Sequence, residues 1–118
     1  MTRAQAAPGE RLVEIPRGAK MVDERFAITE QERAKVLKTF FDAAGEGRLL
    51  SLPSREKRKI IVLQHVAGRF APGRKYTEAE VNAILENVYH DFASLRRFLV
   101  DYGFLERTRD CTSYWVKI

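Results

Sequence analysis

Residues 76–114 read YTEAEVNAILENVYHDFASLRRFLVDYGFLERTRDCTSY. The stretch holds two punctuated helical patterns followed by two short β-prone runs. Thr77 can cap a helix, because its hydroxyl can accept from the backbone N–H of Glu80 while the Glu80 carboxylate reaches back. Tyr76, just before the cap, can staple onto Val81. Val81, Ile84, Leu85 and Val88 then recur at helical spacing. Asp91 is a second cap. From it Phe92, Leu95, Leu99 and Tyr102 make one apolar stripe, while Ala93, Ser94, Arg96, Arg97 and Val100 point elsewhere. Gly103 stops this helix in a left-handed conformation that lets Phe104 fold back onto Leu99, as in a Schellman motif. Phe104–Thr108 and Ser113–Ile118 read as two strands joined by the turn Arg109-Asp110-Cys111-Thr112. Helix, short connection, helix, glycine and hairpin is the order of a winged helix-turn-helix, with the second helix facing a groove and the hairpin as wing.

Working outward, Ser54 is expected to cap the helix SREKRKIIVLQHVAGRF, with Ile60, Leu63, Ala67 and Phe70 along one side and Ile61, Val62 and Val66 widening the buried sector. Its basic first turn opposes the helix dipole, so it suits either a solvated end or a site that wants cations. Ala71-Pro72-Gly73 breaks the chain before Thr77. Upstream, Thr29 and Glu32 repeat the capping-box spacing. A helix over about 30–43 follows, with Leu37, Phe40, Phe41 and Ala44 on its apolar face and a stop at Gly45 and Gly47. Core packing and dimerisation are both open to that helix. Residues 1–28, with Ala, Pro and Gly punctuation, read as an N-terminal arm that includes a short extended piece at Leu12–Ile15. The expected organisation is thus an arm over 1–28 and one domain over 29–118. The fold class is α+β, mostly helical: a winged helix-turn-helix with an extra N-terminal helix and a C-terminal hairpin.

The chain of 118 residues suits one domain with one core. At 45% hydrophobic and 31% charged it has a globular composition. No apolar run reaches the roughly 20 residues that cross a bilayer, and no N-terminal signal region is visible, so no membrane partner and a cytoplasmic address are expected. The single cysteine excludes an internal disulfide. The net charge of +5 permits an anionic partner without requiring one. Residues 55–75 hold seven Lys/Arg against one Glu, a net +6, whereas residues 89–118 hold five against four acids, a net +1. The positive field is therefore strongest before the presumed recognition helix.

Taken together, GRLLSLPSREKRKIIVL, F-x-x-x-x-x-Y-T-E-x-E-V-N-x-I-L, DFASLRRFLVDYGFLER and the closing Y-W resemble the prokaryotic domain-of-unknown-function family 2087 over roughly Val36 to Trp115. Members of that family occur alone or fused behind helix-turn-helix regulator domains, so the resemblance implies a link to transcriptional regulation. It carries no established biochemical activity. Matching positions include Tyr76, Glu78, Glu80, Asn82, Asp91, Arg96, Arg97, Gly103, Arg107, Tyr114 and Trp115. Cys111 departs from the pattern, standing where members usually carry glycine after Asp110, so the wing turn is expected to be distorted or of another type.

The expected function is a small DNA-binding regulator acting on double-stranded DNA, as a homodimer. Ser94, Arg96 and Arg97 would face the major groove, with Arg107, Arg109, Lys57, Arg58 and Lys59 on phosphates. One of the two arginines leans toward the core edge, so both are not expected to read bases. Ion pairing of Arg96 and Arg97 with Asp101, Asp91 or Glu86 is the competing use. Two alternatives stand: a protein-interaction module of winged-helix shape, and an RNA-binding domain using the 55–75 basic face with Trp115 or Tyr76 stacking on bases. Tyr114 and Trp115 fall on opposite faces of their strand, one closing the core. Glu78 is expected to serve the helix dipole, and Asn82 to bond a loop carbonyl. His65, His90 and Cys111 have no zinc-like spacing, and no nucleophile elbow, phosphate loop or HExxH pattern is present, so no metal, cofactor or catalytic role is expected.

Overall fold

A computed structural model of the chain describes residues 28–117. The extended piece expected at Leu12–Ile15, and all of the expected arm except Ile28, lie outside the described residues. The fold is α+β: four α-helices followed by a two-stranded antiparallel hairpin. The helices are α1 (Glu30–Phe40), α2 (Glu56–Ala67), α3 (Glu78–Glu86) and α4 (Phe92–Asp101); the strands are β1 (Leu105–Arg107) and β2 (Tyr114–Val116).

Both capping boxes form. Glu32 N–H donates to the Thr29 hydroxyl at 3.1 Å and Glu80 N–H to the Thr77 hydroxyl at 3.1 Å, and each glutamate accepts from its cap's own N–H. Asp91 caps α4, accepting from Ser94 N–H at 3.2 Å. The end of α4 is a complete Schellman motif. Gly103 sits at φ 81°, its N–H donates to Val100 O, and Phe104 N–H donates to Leu99 O at 2.9 Å.

Helix α2 ends at Ala67, short of Phe70, and β1 is one residue shorter at each end than the sequence reading; two further boundaries differ for reasons outside their own segments. First, α1 ends at Phe40 rather than near residue 43. Phe41 turns extended and bridges Leu49, so the chain reverses through a 3-10 turn at Asp42–Gly45 in which Ala43, Ala44 and Gly45 all have positive φ. Gly47 N–H donates to Asp42 O at 2.9 Å and Asp42 N–H to Arg48 O at 2.8 Å, so the glycines close the reversal instead of ending the helix. Second, Ser54 is not the cap of α2. Arg55 occupies that position without a side-chain cap bond. The first helical residue, Glu56, accepts from the Tyr102 hydroxyl at 2.6 Å.

The core runs through every described element. Ile60, Ile61, Val62, Leu63 and Val66 of α2 are buried together with Val81, Leu85, Leu95 and Leu99 of α3 and α4, and with Leu105 and Tyr114 of the hairpin. At about 25 cal/mol per Å² of apolar area, burial of one such aliphatic side chain stabilises by roughly 1.5–3 kcal/mol. α1 packs on α2 and contributes Val36 and Leu37, with Glu32, Arg33 and Phe40 half-buried, while Glu30, Gln31, Ala34, Lys35, Lys38 and Thr39 face water. Core packing, one of the two roles left open for α1, is therefore present.

His65 fastens α1 and the 3-10 turn to α2. Its Nδ1 lies 3.3 Å from Arg33 Nη2, and its Nε2 lies 2.7 Å from Gly45 O. Because guanidinium only donates and a carbonyl only accepts, the ring is assigned as the neutral tautomer with the proton on Nε2. Its edge also meets Phe41, with ring centroids 5.0 Å apart.

A third strand position completes the wing. Tyr76 and Tyr114 exchange both backbone hydrogen bonds at 2.8 Å, so the residue before the Thr77 cap of α3 joins the sheet beside β2. Leu105 pairs with Val116, Glu106 with Trp115 and Arg107 with Tyr114. The period of two then places Tyr114 and Leu105 inward, and Trp115, Glu106 and Lys117 outward. Tyr114 is buried and Trp115 half-buried, as the alternation requires.

Candidate nucleic-acid interface

α4 has its buried side set by Leu95 and Leu99. At 100° per residue, the side opposite them carries Ala93, Arg97 and Asp101, all exposed, with Val100 half-buried along one edge. Arg97 keeps 83% of its side chain exposed, and its Nε lies 3.7 Å from Asp101 Oδ2, one turn along the same helix. Arg96 lies a quarter-turn round and is half-buried. Its Nη1 donates to Asn82 Oδ1 on α3. The two adjacent arginines thus serve different surfaces, one facing water and one fastening α4 to α3. Asn82, expected to bond a loop carbonyl, accepts from Arg96 instead.

Ser94 stands in the first turn of α4, with its N–H and hydroxyl directed at Asp91. The Ser94 hydroxyl, and then its N–H, hold the Asp91 carboxyl below its ordinary range.

The basic start of α2 sits away from Ser94. The Tyr102–Glu56 bond ties that start to the C-terminal end of α4, and Ser94 is eight residues earlier, about 12 Å along the helix. Lys57 pairs with Glu32 of α1 at 2.6 Å. Lys59 lies over the Phe98 ring, 4.6 Å from its centroid, and also faces Tyr102. Arg58 is exposed. Two lysines of the cluster are therefore committed to internal contacts.

The wing tip is built by side chains bonding backbone. Thr108 N–H donates to Ser113 O at 2.9 Å, and Cys111 N–H donates to Thr108 O at 3.0 Å. Asp110 accepts from the hydroxyls of Thr108 and Thr112 at 2.7 and 2.8 Å and from Thr112 N–H. The Thr108 hydroxyl, then that of Thr112, hold the Asp110 carboxyl below its ordinary range. Cys111 has φ 62°, the left-handed position that glycine favours, so the turn keeps the glycine geometry with a cysteine in it. Arg107 Nη1 donates to the carbonyls of Thr108 and Arg109 at 3.1 and 3.5 Å, which holds its guanidinium along the tip; Arg109 is exposed beside it.

A groove of about 310 Å³ joins helix and wing. Val100 and Gly103 form one wall, and Glu106, Arg107, Trp115 and Lys117 the other. Glu106 accepts from Trp115 Nε1 at 2.9 Å and pairs with Lys117 at 2.9 Å. Lys75 lies over the Trp115 ring, 5.4 Å from its centroid. Sequence reasoning did not bring Lys75, Trp115 and Lys117 together. The missing step was the Tyr76–Tyr114 bridge, which puts Lys75 on the outer face of the sheet beside Trp115.

Glu78 also takes a role beyond the helix dipole. It accepts from the Tyr114 hydroxyl at 3.1 Å; burial, and then this carboxylate, push the Tyr114 phenol up to about 12. Among the described residues, no three His, Cys, Asp or Glu side chains are grouped to hold a metal, and no helix is long and apolar enough to cross a membrane.

Three helices, a bridge before the second-last helix and a hairpin after the last define a winged helix-turn-helix type of domain. Family comparison agrees with the sequence resemblance. The chain belongs to the family described as uncharacterized protein conserved in bacteria (DUF2087), whose model matches residues 48–116, more than half of the chain. The match starts after α1, later than the Val36 suggested by the motifs. No curated protein and no solved structure matches the chain.

Proposed function

We propose that this protein is a DNA-binding transcriptional regulator that lays α4 against a major groove and its wing against the flanking backbone. One observation carries the reading: the outward side of α4 is small at Ala93 and cationic at Arg97, and Val100 at its edge lines a groove that Arg107 of the wing borders. A small residue lets a helix approach base edges closely, and an exposed guanidinium such as that of Arg97 suits the O6/N7 edge of guanine. Arg107 and Arg109 would straddle phosphates, with Arg58 a more distant phosphate contact. Arg96 then acts as a positioning residue, because its bond to Asn82 sets α4 on α3. A homodimer would place two α4 helices one duplex turn apart, about 34 Å.

The test is fluorescence anisotropy with mixed-sequence duplex DNA, single-stranded DNA and RNA at about 50 and 200 mM salt. Duplex binding with a steep salt slope supports the regulator, and light scattering of the complex gives its stoichiometry. No binding to any of the three by the folded protein refutes it. One observation favours a protein-interaction module as the second reading. α4 and its cap balance Arg96 and Arg97 against Asp91 and Asp101, and Val100 is partly bared beside the groove.

A further inference from the structure

The positive charge of the helix-and-wing face lies on the sheet, not on α4. α4 with its cap carries two cations and two acids, net zero, whereas Lys75 and the hairpin through Lys117 carry Lys75, Arg107, Arg109 and Lys117 against Glu106 and Asp110, net +2. The outer face of the sheet also has a defined shape. Trp115 is fixed by its Nε1 bond to Glu106, Lys75 covers its ring, and Lys117 neutralises Glu106. Trp115 and Lys117 line the same groove as Val100 and Arg107, so this face is continuous with the outward edge of α4. The edge of the sheet is covered at one of its two outward-pointing backbone positions and open at the other, exposed Arg107. Leu105, whose backbone groups point away from β2, is only 1% exposed.

We infer that the outer face of the sheet, formed by Lys75, Trp115 and Lys117, is a second seat for the sugar-phosphate backbone of duplex DNA. The inference rests on the regulator reading above. Lys75 and Lys117 contact successive phosphates, and the indole is a plate that carries the Lys75 ammonium beside them. Glu106 holds the plate in place and, as a carboxylate, sets an upper limit on the affinity of the seat. Phosphate contacts of this kind give affinity without sequence information, which leaves discrimination to the Ala93 and Arg97 side of α4.

The experiment compares salt slopes of duplex binding for the wild type, K75Q, K117Q, K75Q/K117Q, R97Q and E106Q, each checked for unchanged thermal unfolding. K75Q should lower the slope by about 0.9, K117Q by less because Glu106 already pairs with Lys117, and the double change by about the sum of the two. R97Q should lower it less, since Asp101 already partly offsets Arg97. E106Q should move affinity the other way, to tighter binding. Trp115 is the single tryptophan of the chain, so its fluorescence should change on adding duplex DNA. Wild-type duplex binding with an unchanged slope in K75Q/K117Q overturns this inference and leaves the regulator reading standing. Stronger tryptophan quenching by single-stranded DNA than by duplex also overturns it, since that is the signature of base stacking. Absence of duplex binding by the wild type overturns both readings.

Discussion

The two arginines of α4 are adjacent in sequence and should behave oppositely when truncated. Arg96 donates from a half-buried position to a neutral amide on another helix. A hydrogen bond with one charged partner contributes roughly 1.5–3 kcal/mol when well shielded, and partial exposure reduces this to about 1 kcal/mol. Arg97 has a partner at 3.7 Å, but the two side chains are 83% and 58% exposed. The Arg97–Asp101 pair also places its acid toward the helix C-terminus, against the dipole, so it should contribute at most about 0.3 kcal/mol. The measurement is a pair of double-mutant cycles by urea unfolding: R96A with N82A, and R97A with D101A. The cycle removes the contribution that the arginine stem makes by packing. The expected coupling is about 1 kcal/mol for Arg96–Asn82 and near zero for Arg97–Asp101. For a domain of this size, R96A should also lower Tm by about 4–8 °C, with R97A leaving it within about 2 °C. A coupling below about 0.3 kcal/mol for Arg96–Asn82, or equal destabilisation by R96A and R97A, refutes the assignment of one arginine to packing and the other to ligand.

Three further outcomes are expected. G45A should destabilise by about 2–3 kcal/mol, because φ is +106° and the added Cβ would lie 3.1 Å from His65 Nε2, whereas G73A, at φ +78° with nothing within 4 Å, should cost about 1–2 kcal/mol; equal losses in urea unfolding would show that His65 does not press on that turn. Burial and then Glu56 push the Tyr102 phenol up to about 12, as burial and then Glu78 do for Tyr114. With both phenols raised in the folded state, the stability they contribute is full below about pH 10 and is lost as pH rises toward 12. The urea midpoint should therefore fall over that window and fall less in Y102F/Y114F; a midpoint flat to pH 11.5 in the wild type contradicts this. At the wing turn, C111G should match or raise Tm by a degree or two and C111V should lower it, since a left-handed position costs a side chain about 1 kcal/mol, partly offset by glycine's larger unfolded-state entropy; the reverse order would show that Cys111 packing outweighs backbone strain.

The elements that were legible in the sequence are those whose stop and start signals are local. Thr29 and Thr77 cap their helices with the glutamate three residues on, and Gly103 closes α4 with the bonds that its position after an apolar stripe implies. The misplaced boundaries have non-local causes. α1 stops early because Phe41 pairs with Leu49 across a reversal, and periodicity does not register a pairing partner. Ser54 looked like a cap on type and position alone, but the first turn of α2 is set by Glu56 meeting a tyrosine 46 residues later.

The candidate interface follows the same division. That Arg96 and Arg97 differ was readable from the helical period, but which of them was committed depended on Asn82, fourteen residues away on α3. Likewise, Lys57 and Lys59 belong to the most basic stretch of the chain and still face a glutamate and two rings of the domain itself. Local charge density therefore overstated the start of α2 as a binding surface; the sheet gathers its cations from three separate segments, with Lys117 paired to Glu106 and Lys75 over Trp115. The bridge from Tyr76 to Tyr114 assembles them: it turns both tyrosines inward, and the alternation of a β-strand then obliges Lys75 and Trp115 to face outward together. A change that breaks that bridge should disperse the cationic face even if every charged residue remains.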